Sequence, residues 1–152
     1  MKTLAREPDK DELLRRLRTV RPESARLWGR MSAHQMICHL CDSCRMATGQ
    51  QMVTPATSLL KRTAGKLVAL YLPVRWPRGI PTGPEIDQHR GGRRPGAFEA
   101  DVEDLIAKIE AMAAEPDVLE GQVHPVFGRL SRTGWLRWAY LHNDHHLRQF
   151  GA

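Results

Sequence analysis

No apolar run in the chain approaches the ~18–20 residues that a membrane span requires, so no transmembrane segment is expected. The first residues, Met-Lys-Thr-Leu-Ala-Arg-Glu-Pro-Asp, carry positive charge but no apolar stretch, and so give no sign of a secretory leader. Alternating apolar and polar positions that would mark strands are missing, as is any internal repeat. Cysteine is scarce: three residues, Cys38, Cys41 and Cys44, crowd one segment and cannot build a disulfide framework. Their spacing matches part of an iron–sulfur run, yet a fourth cysteine is lacking. On a helix the three would also be strung over about 9 Å of axis. They read as buried or half-buried small hydrophobes, with a thiol-redox role for one of them left open. Reduced thiols and the lack of a leader fit a soluble, cytoplasmic protein. Basic residues outnumber acidic ones 23 to 17, for a formal net charge of +6, but no basic stripe interleaved with aromatics is visible. Neither nucleic acid nor a membrane is an expected partner.

What the chain does have is ordinary globular composition: 152 residues, 41% hydrophobic and 26% charged, enough for one domain over residues 1–152. Asp9 and Glu12 have the spacing of a capping box before Leu13, Leu14 and Leu17. Ser32 and Gln35 repeat that signal, and the helix they open should run to about Thr48, where Gly49 stops it. A third helix is expected over about 58–70, weakened by Gly65. Residues 73–96 hold five prolines and five glycines and read as a long irregular connection that either crosses the bundle or covers one end. Phe98 to about Ala114 is helical, with Val102, Leu105, Ile106 and Ile109 on one stripe and Pro116 beyond. Ser131 can cap a last helix ending near Phe150 and Gly151. The fold class is therefore all-α, a four-helix bundle with a long Pro/Gly-rich connection. Trp28, Trp135, Trp138 and Tyr140 read as core packing, and Phe127 as a plug at the bundle end.

The last helix carries His142-Asn-Asp-His145-His146. Turning about 100° per residue from Trp135, His142 and His146 fall within roughly 20° of it, in the middle of the buried stripe. Arg137, Asp144 and Arg148 take the opposite, wet side, and His145 sits about 80° off centre. Histidines at i and i+4 have β-carbons roughly 5–6 Å apart, close enough to share one ion. By the same rotation His39 shares the inner face of its helix with Met36, Leu40 and Ser43, while His34 points outward with Arg45 and Cys41. Three neutral imidazoles from two helices, with one position open, suit a divalent Zn, Ni or Fe ion. A hydrogen-bonded core cluster is the alternative, although three unpaired imidazoles would be costly to desolvate. His89 and His124 read as solvent-exposed turn residues.

Three segments carry a family resemblance: Leu27-Trp-Gly-Arg-Met-Ser-Ala-His-Gln-Met-Ile-Cys-His-Leu40, His124-Pro-Val-Phe-Gly-Arg-Leu130 and His142-Asn-Asp-His-His-Leu-Arg-Gln-Phe-Gly151. Together they resemble the signature of a bacterial domain-of-unknown-function branch of the DinB-like superfamily. The likeness runs from about Asp9 to Ala152 and is loosest over 50–96. It implies an up-down four-helix bundle holding a divalent metal on His39, His142 and His146. It also implies kinship with metal-dependent transferases that use low-molecular-weight thiols such as bacillithiol or mycothiol, and often a homodimer. His145 beside His146 leaves open which of the two is the third ligand. Asp42, one turn beyond His39, and Gln149, near His146, are the expected orienting partners. His145 is a candidate proton carrier at the rim. The reaction expected is thiol transfer or hydrolysis on a small-molecule substrate, and the rival is a non-catalytic, metal-stabilised or ligand-binding bundle.

Overall fold

A computed structural model describes residues 1–55 and 65–152. Five α-helices carry the described fold: α1 (Glu7–Leu17), α2 (Ala33–Ala47), α3 (Lys66–Tyr71), α4 (Phe98–Ala114) and α5 (Arg132–Gln149). Among the described residues the fold is all-α apart from one short antiparallel pair, β1 (Val123–His124) with β2 (Gly128–Arg129), which the absence of an alternating pattern concealed. A 3₁₀ turn, Pro116–Leu119, follows α4. Among the described residues, no helix is long and apolar enough to cross a membrane. The part of the expected third helix over 58–64 lies outside the described residues; its continuation is α3.

Local chemistry explains most boundaries. Ser32 accepts the Gln35 N–H at 3.1 Å, and Gln35 Oε1 accepts the Ser32 N–H at 2.9 Å, a complete capping box for α2. Thr48 closes α2 and Gly49 turns away with φ +75°. Ser131 accepts the Gly134 N–H at 3.1 Å and opens α5. The start of α1 differs from expectation. Pro8 fits the first turn, where its missing N–H costs nothing, so the helix begins at Glu7 and not after Asp9. Asp9 instead accepts the Thr3 N–H at 3.0 Å and tethers the leading segment.

One hydrophobic cluster extends from Leu4 to Phe150. α2 runs through its centre, packed on α4 and α5, while α1 packs on α5. Enclosure of α2 on several sides corrects the outward placement of Cys41: it is fully buried, and its thiol lies 3.7 Å from the Asp101 carbonyl oxygen. Cys38 and Cys44 are buried too. The face of α5 expected to be wet is half covered by α1. Arg16 pairs with Asp144 at 2.8 Å, and the Tyr140 hydroxyl donates to Glu12 at 2.9 Å. The 73–96 connection lies over the histidines: Trp76 sits 6.1 Å from the rings of His142 and His145, and Ile86 reaches His39.

Candidate metal centre

α2 supplies His39 and α5 supplies His142 and His146, and one ring nitrogen from each lies within 4.8 Å of the others. His39 Nε2 and His142 Nε2 are 3.3 Å apart. Two imidazole nitrogens held ~2.0–2.1 Å from a tetrahedral ion stand about 3.3–3.4 Å apart, so this separation already suits coordination. The ring centroids of the trio are 4.8 to 5.2 Å apart, with planes steeply inclined to one another.

The tautomers are set from behind. His39 Nδ1–H donates to the Ile86 carbonyl at 2.9 Å, which leaves Nε2 as a lone pair facing the centre. His146 Nδ1–H donates to Gln149 Oε1 at 2.9 Å, leaving its own Nε2 free. Gln149 is in turn fixed by donating Nε2–H to the Trp28 carbonyl at 2.8 Å. Gly29 makes that approach possible, since a Cβ there would stand 2.4 Å from Gln149 Nε2. His142 is half-buried and stacks on Trp138 with centroids 4.9 Å apart and planes 23° from parallel. Burial lowers all three imidazole pKa values, those of His142 and His146 well below the ordinary value, and their mutual proximity pushes those two further down. At neutral pH the site thus presents uncharged donors. The two nitrogens facing each other at 3.3 Å are satisfied either by a shared cation or by a proton on His142 Nε2.

Asp42 does not bond His39. It accepts the Gln88 side-chain N–H at 3.1 Å and the Arg93 backbone N–H at 2.9 Å, because its carboxylate turns toward the 73–96 connection. The backbone carbonyl of Ile86 takes the role expected of it. His145 is outside the trio and buried between Trp28 (5.9 Å, edge-on) and Trp76, with Nδ1 unpartnered among the described residues. Burial lowers its pKa as well.

His124, expected in solvent, is buried at 6% exposure against Phe127, Trp135 and Trp138. Its Nδ1 accepts the Val126 and Phe127 N–H groups at 3.1 Å, and burial pushes its pKa down to about 3. The motif His-Pro-Val-Phe-Gly thus builds a turn closed around an imidazole acceptor. His89 is exposed, as expected. His34, Cys38 and Asp101 form a second cluster. There Asp101 already accepts from His34 at 2.7 Å and the Gly96 N–H at 2.9 Å, and pairs with Arg93.

An all-α chain with three neutral histidines converging from two helices is the class that fold and site define. Residues 5–152 match the family described as "Protein of unknown function (DUF1569)", and the chain belongs to that family. No curated protein and no solved structure matches it.

Proposed function

We propose that this chain binds a divalent metal ion on His39, His142 and His146, in an up-down four-helix bundle of DinB-like type, and uses it in thiol transfer or hydrolysis. The observation that carries the reading is the approach of His39 Nε2 to His142 Nε2, at the spacing a tetrahedral ion imposes. Supporting it, the outer nitrogens of His39 and His146 each have a fixed acceptor, which turns the inner nitrogens into ready donors. When bound, a divalent ion would lower the pKa of a thiol or a water and so supply an anion for attack on an electrophile.

The remaining work falls to the chain. His142 is the more open member of the trio, so substrate enters on its side. Trp76 and Trp28 exclude water around the adjacent His145. His145, whose Nδ1 has no partner among the described residues, is placed to take or return a proton at that atom. A low-molecular-weight thiol is the proposed co-substrate for transfer, and a small electrophile its partner.

A second reading follows from the cover formed by Trp76 and Ile86, under which the ion would hold the bundle together without turnover. Elemental analysis of the purified protein beside the His142→Ala variant separates the readings. Metal in the wild type, lost from a still-folded variant, supports an open working site. Loss of the fold with the metal supports a structural ion. Metal-free wild type of undiminished stability overturns both readings and leaves a packed histidine cluster.

A further inference from the structure

We propose that Asp42 is a positioning residue for the metal centre: it clamps the loop over 84–93 so that the Ile86 carbonyl holds His39 in the Nδ1–H tautomer. This inference rests on the metal reading for its purpose, but not for its test.

Asp42 is 1% exposed on the central helix, and among the described residues no arginine or lysine side chain bonds it. One oxygen, Oδ2, accepts from both the Gln88 side chain and the Arg93 backbone; the other, Oδ1, is buried without a partner among the described residues. A carboxylate buried so incompletely satisfied is costly, so it calls for a reason in the fold. Its two donors lie on the loop that also carries Ile86, whose carbonyl receives the His39 Nδ1–H. Asp42 and His39 are three residues apart on α2, nearly one turn, so the loop is tied twice to the same stretch of helix.

The loop is built to transmit that tie. Gly91 N–H donates to the Pro84 carbonyl at 2.9 Å, and Gly92 N–H to the Asp87 carbonyl at 3.0 Å, closing the segment on itself. A Cβ at Gly91 would stand 2.8 Å from the Pro84 carbonyl oxygen, so the closure needs glycine there. Ile86 N–H donates to the Gly83 carbonyl at 3.1 Å, and the Ile86 side chain is buried, which fixes the peptide on the N-terminal side of Ile86. Beyond the clamp, Arg93 pairs with Asp101 and Asp104 on α4 and anchors the loop's far end. The near end has its own tie, since Gln51 donates to the Glu85 carbonyl at 3.0 Å and Thr54 bonds the Glu85 carboxylate. The proposal is that this second tie does not suffice. Without Asp42 the loop pivots on Glu85, Ile86 loses register with His39, and the imidazole is free to exchange tautomers. An Nε2–H tautomer would turn a hydrogen toward the centre in place of a lone pair.

The experiment uses the full chain and three variants: Asp42→Ala, Asp42→Asn and Gln88→Ala. Imidazole ¹⁵N–¹H correlation spectra of metal-free protein report the His39 tautomer, and titration with Co²⁺ reports affinity and ligand field. In the wild type His39 should show the Nδ1–H pattern. Asp42→Ala should give a mixed tautomer, and Co²⁺ binding should weaken about 10–100-fold with an altered visible spectrum. Asp42→Asn should rescue both, because its amide oxygen can accept both loop donors while its NH₂ takes the place of the unpartnered oxygen. Gln88→Ala, which removes half the clamp from a half-buried position, keeps the test alive should Asp42→Ala fail to fold, and it should shift the tautomer in the same direction. Wild-type tautomer and Co²⁺ affinity in a folded Asp42→Ala or Gln88→Ala protein overturn the proposal, as does an Asn variant as impaired as the Ala one. A wild type that takes up no Co²⁺, yet loses the Nδ1–H tautomer on loss of Asp42, supports the clamp and sinks the metal reading.

Discussion

Gln149 joins the chain's first tryptophan to its last histidine, accepting from His146 Nδ1 and donating to the Trp28 carbonyl. Gln149→Leu keeps the volume and removes both bonds. It should release the His146 ring and weaken divalent-ion affinity by about 10–100-fold, measured by competition with a chromophoric chelator. The trio itself was legible because a 3.6-residue period converts sequence spacing into direction: His142 and His146 share the stripe of Trp135 and Ala139, both of them buried in the core. The partner of His39 was not legible, because a backbone carbonyl in a loop leaves no trace in side-chain pattern. Asp42 was singled out by its spacing, but its carboxylate acts on the loop instead of the ring. His124 misled for a different reason. Proximity to proline signals a turn correctly, but says nothing of whether the turn folds inward onto Trp135 and Trp138.

α2 owes its start to reciprocal bonds between Ser32 and Gln35, and it carries both His39 and the Asp42 clamp. Ser32→Ala should cost about 1 kcal/mol in denaturant unfolding. Combined with Gln35→Ala it should cost less than the two single changes added, since each side chain serves the same helix end. Elements of this kind were read from sequence almost to the residue, as α4 over Phe98–Ala114 also was, because caps and apolar stripes are local signals. The start of α1 was misplaced where two local signals competed, and proline in the first turn won over an acidic cap. The 73–96 connection was beyond such reading, since its path is set by distant anchors: Asp42 on α2, and Asp101 and Asp104 on α4. The same holds for Cys41, whose burial depends on how closely α4 packs on α2.

Across the whole molecule, buried neutral histidines make stability depend on acidity. His124, with a pKa near 3 when folded and about 6.5 when unfolded, takes up a proton more readily in the unfolded chain throughout that interval. Its contribution is complete above about pH 6.5 and is lost on acidification toward pH 3, at up to about 1.4 kcal/mol per pH unit. His39, His142 and His146 act in the same direction, since each is also shifted downward. Urea unfolding of metal-free protein at pH 7, 6 and 5 should therefore show falling stability. His124→Asn, which keeps an acceptor for the Val126 and Phe127 N–H groups, should show a shallower slope, and an equal slope would contradict the burial of this ring. The two nitrogens that face each other at 3.3 Å belong to residues 103 positions apart in the chain. During synthesis, then, α2 emerges long before its partner helix exists. A ribosome-bound fragment ending in the proline-rich connection carries His39 without His142 and His146, so the trio can assemble only once α5 has been made.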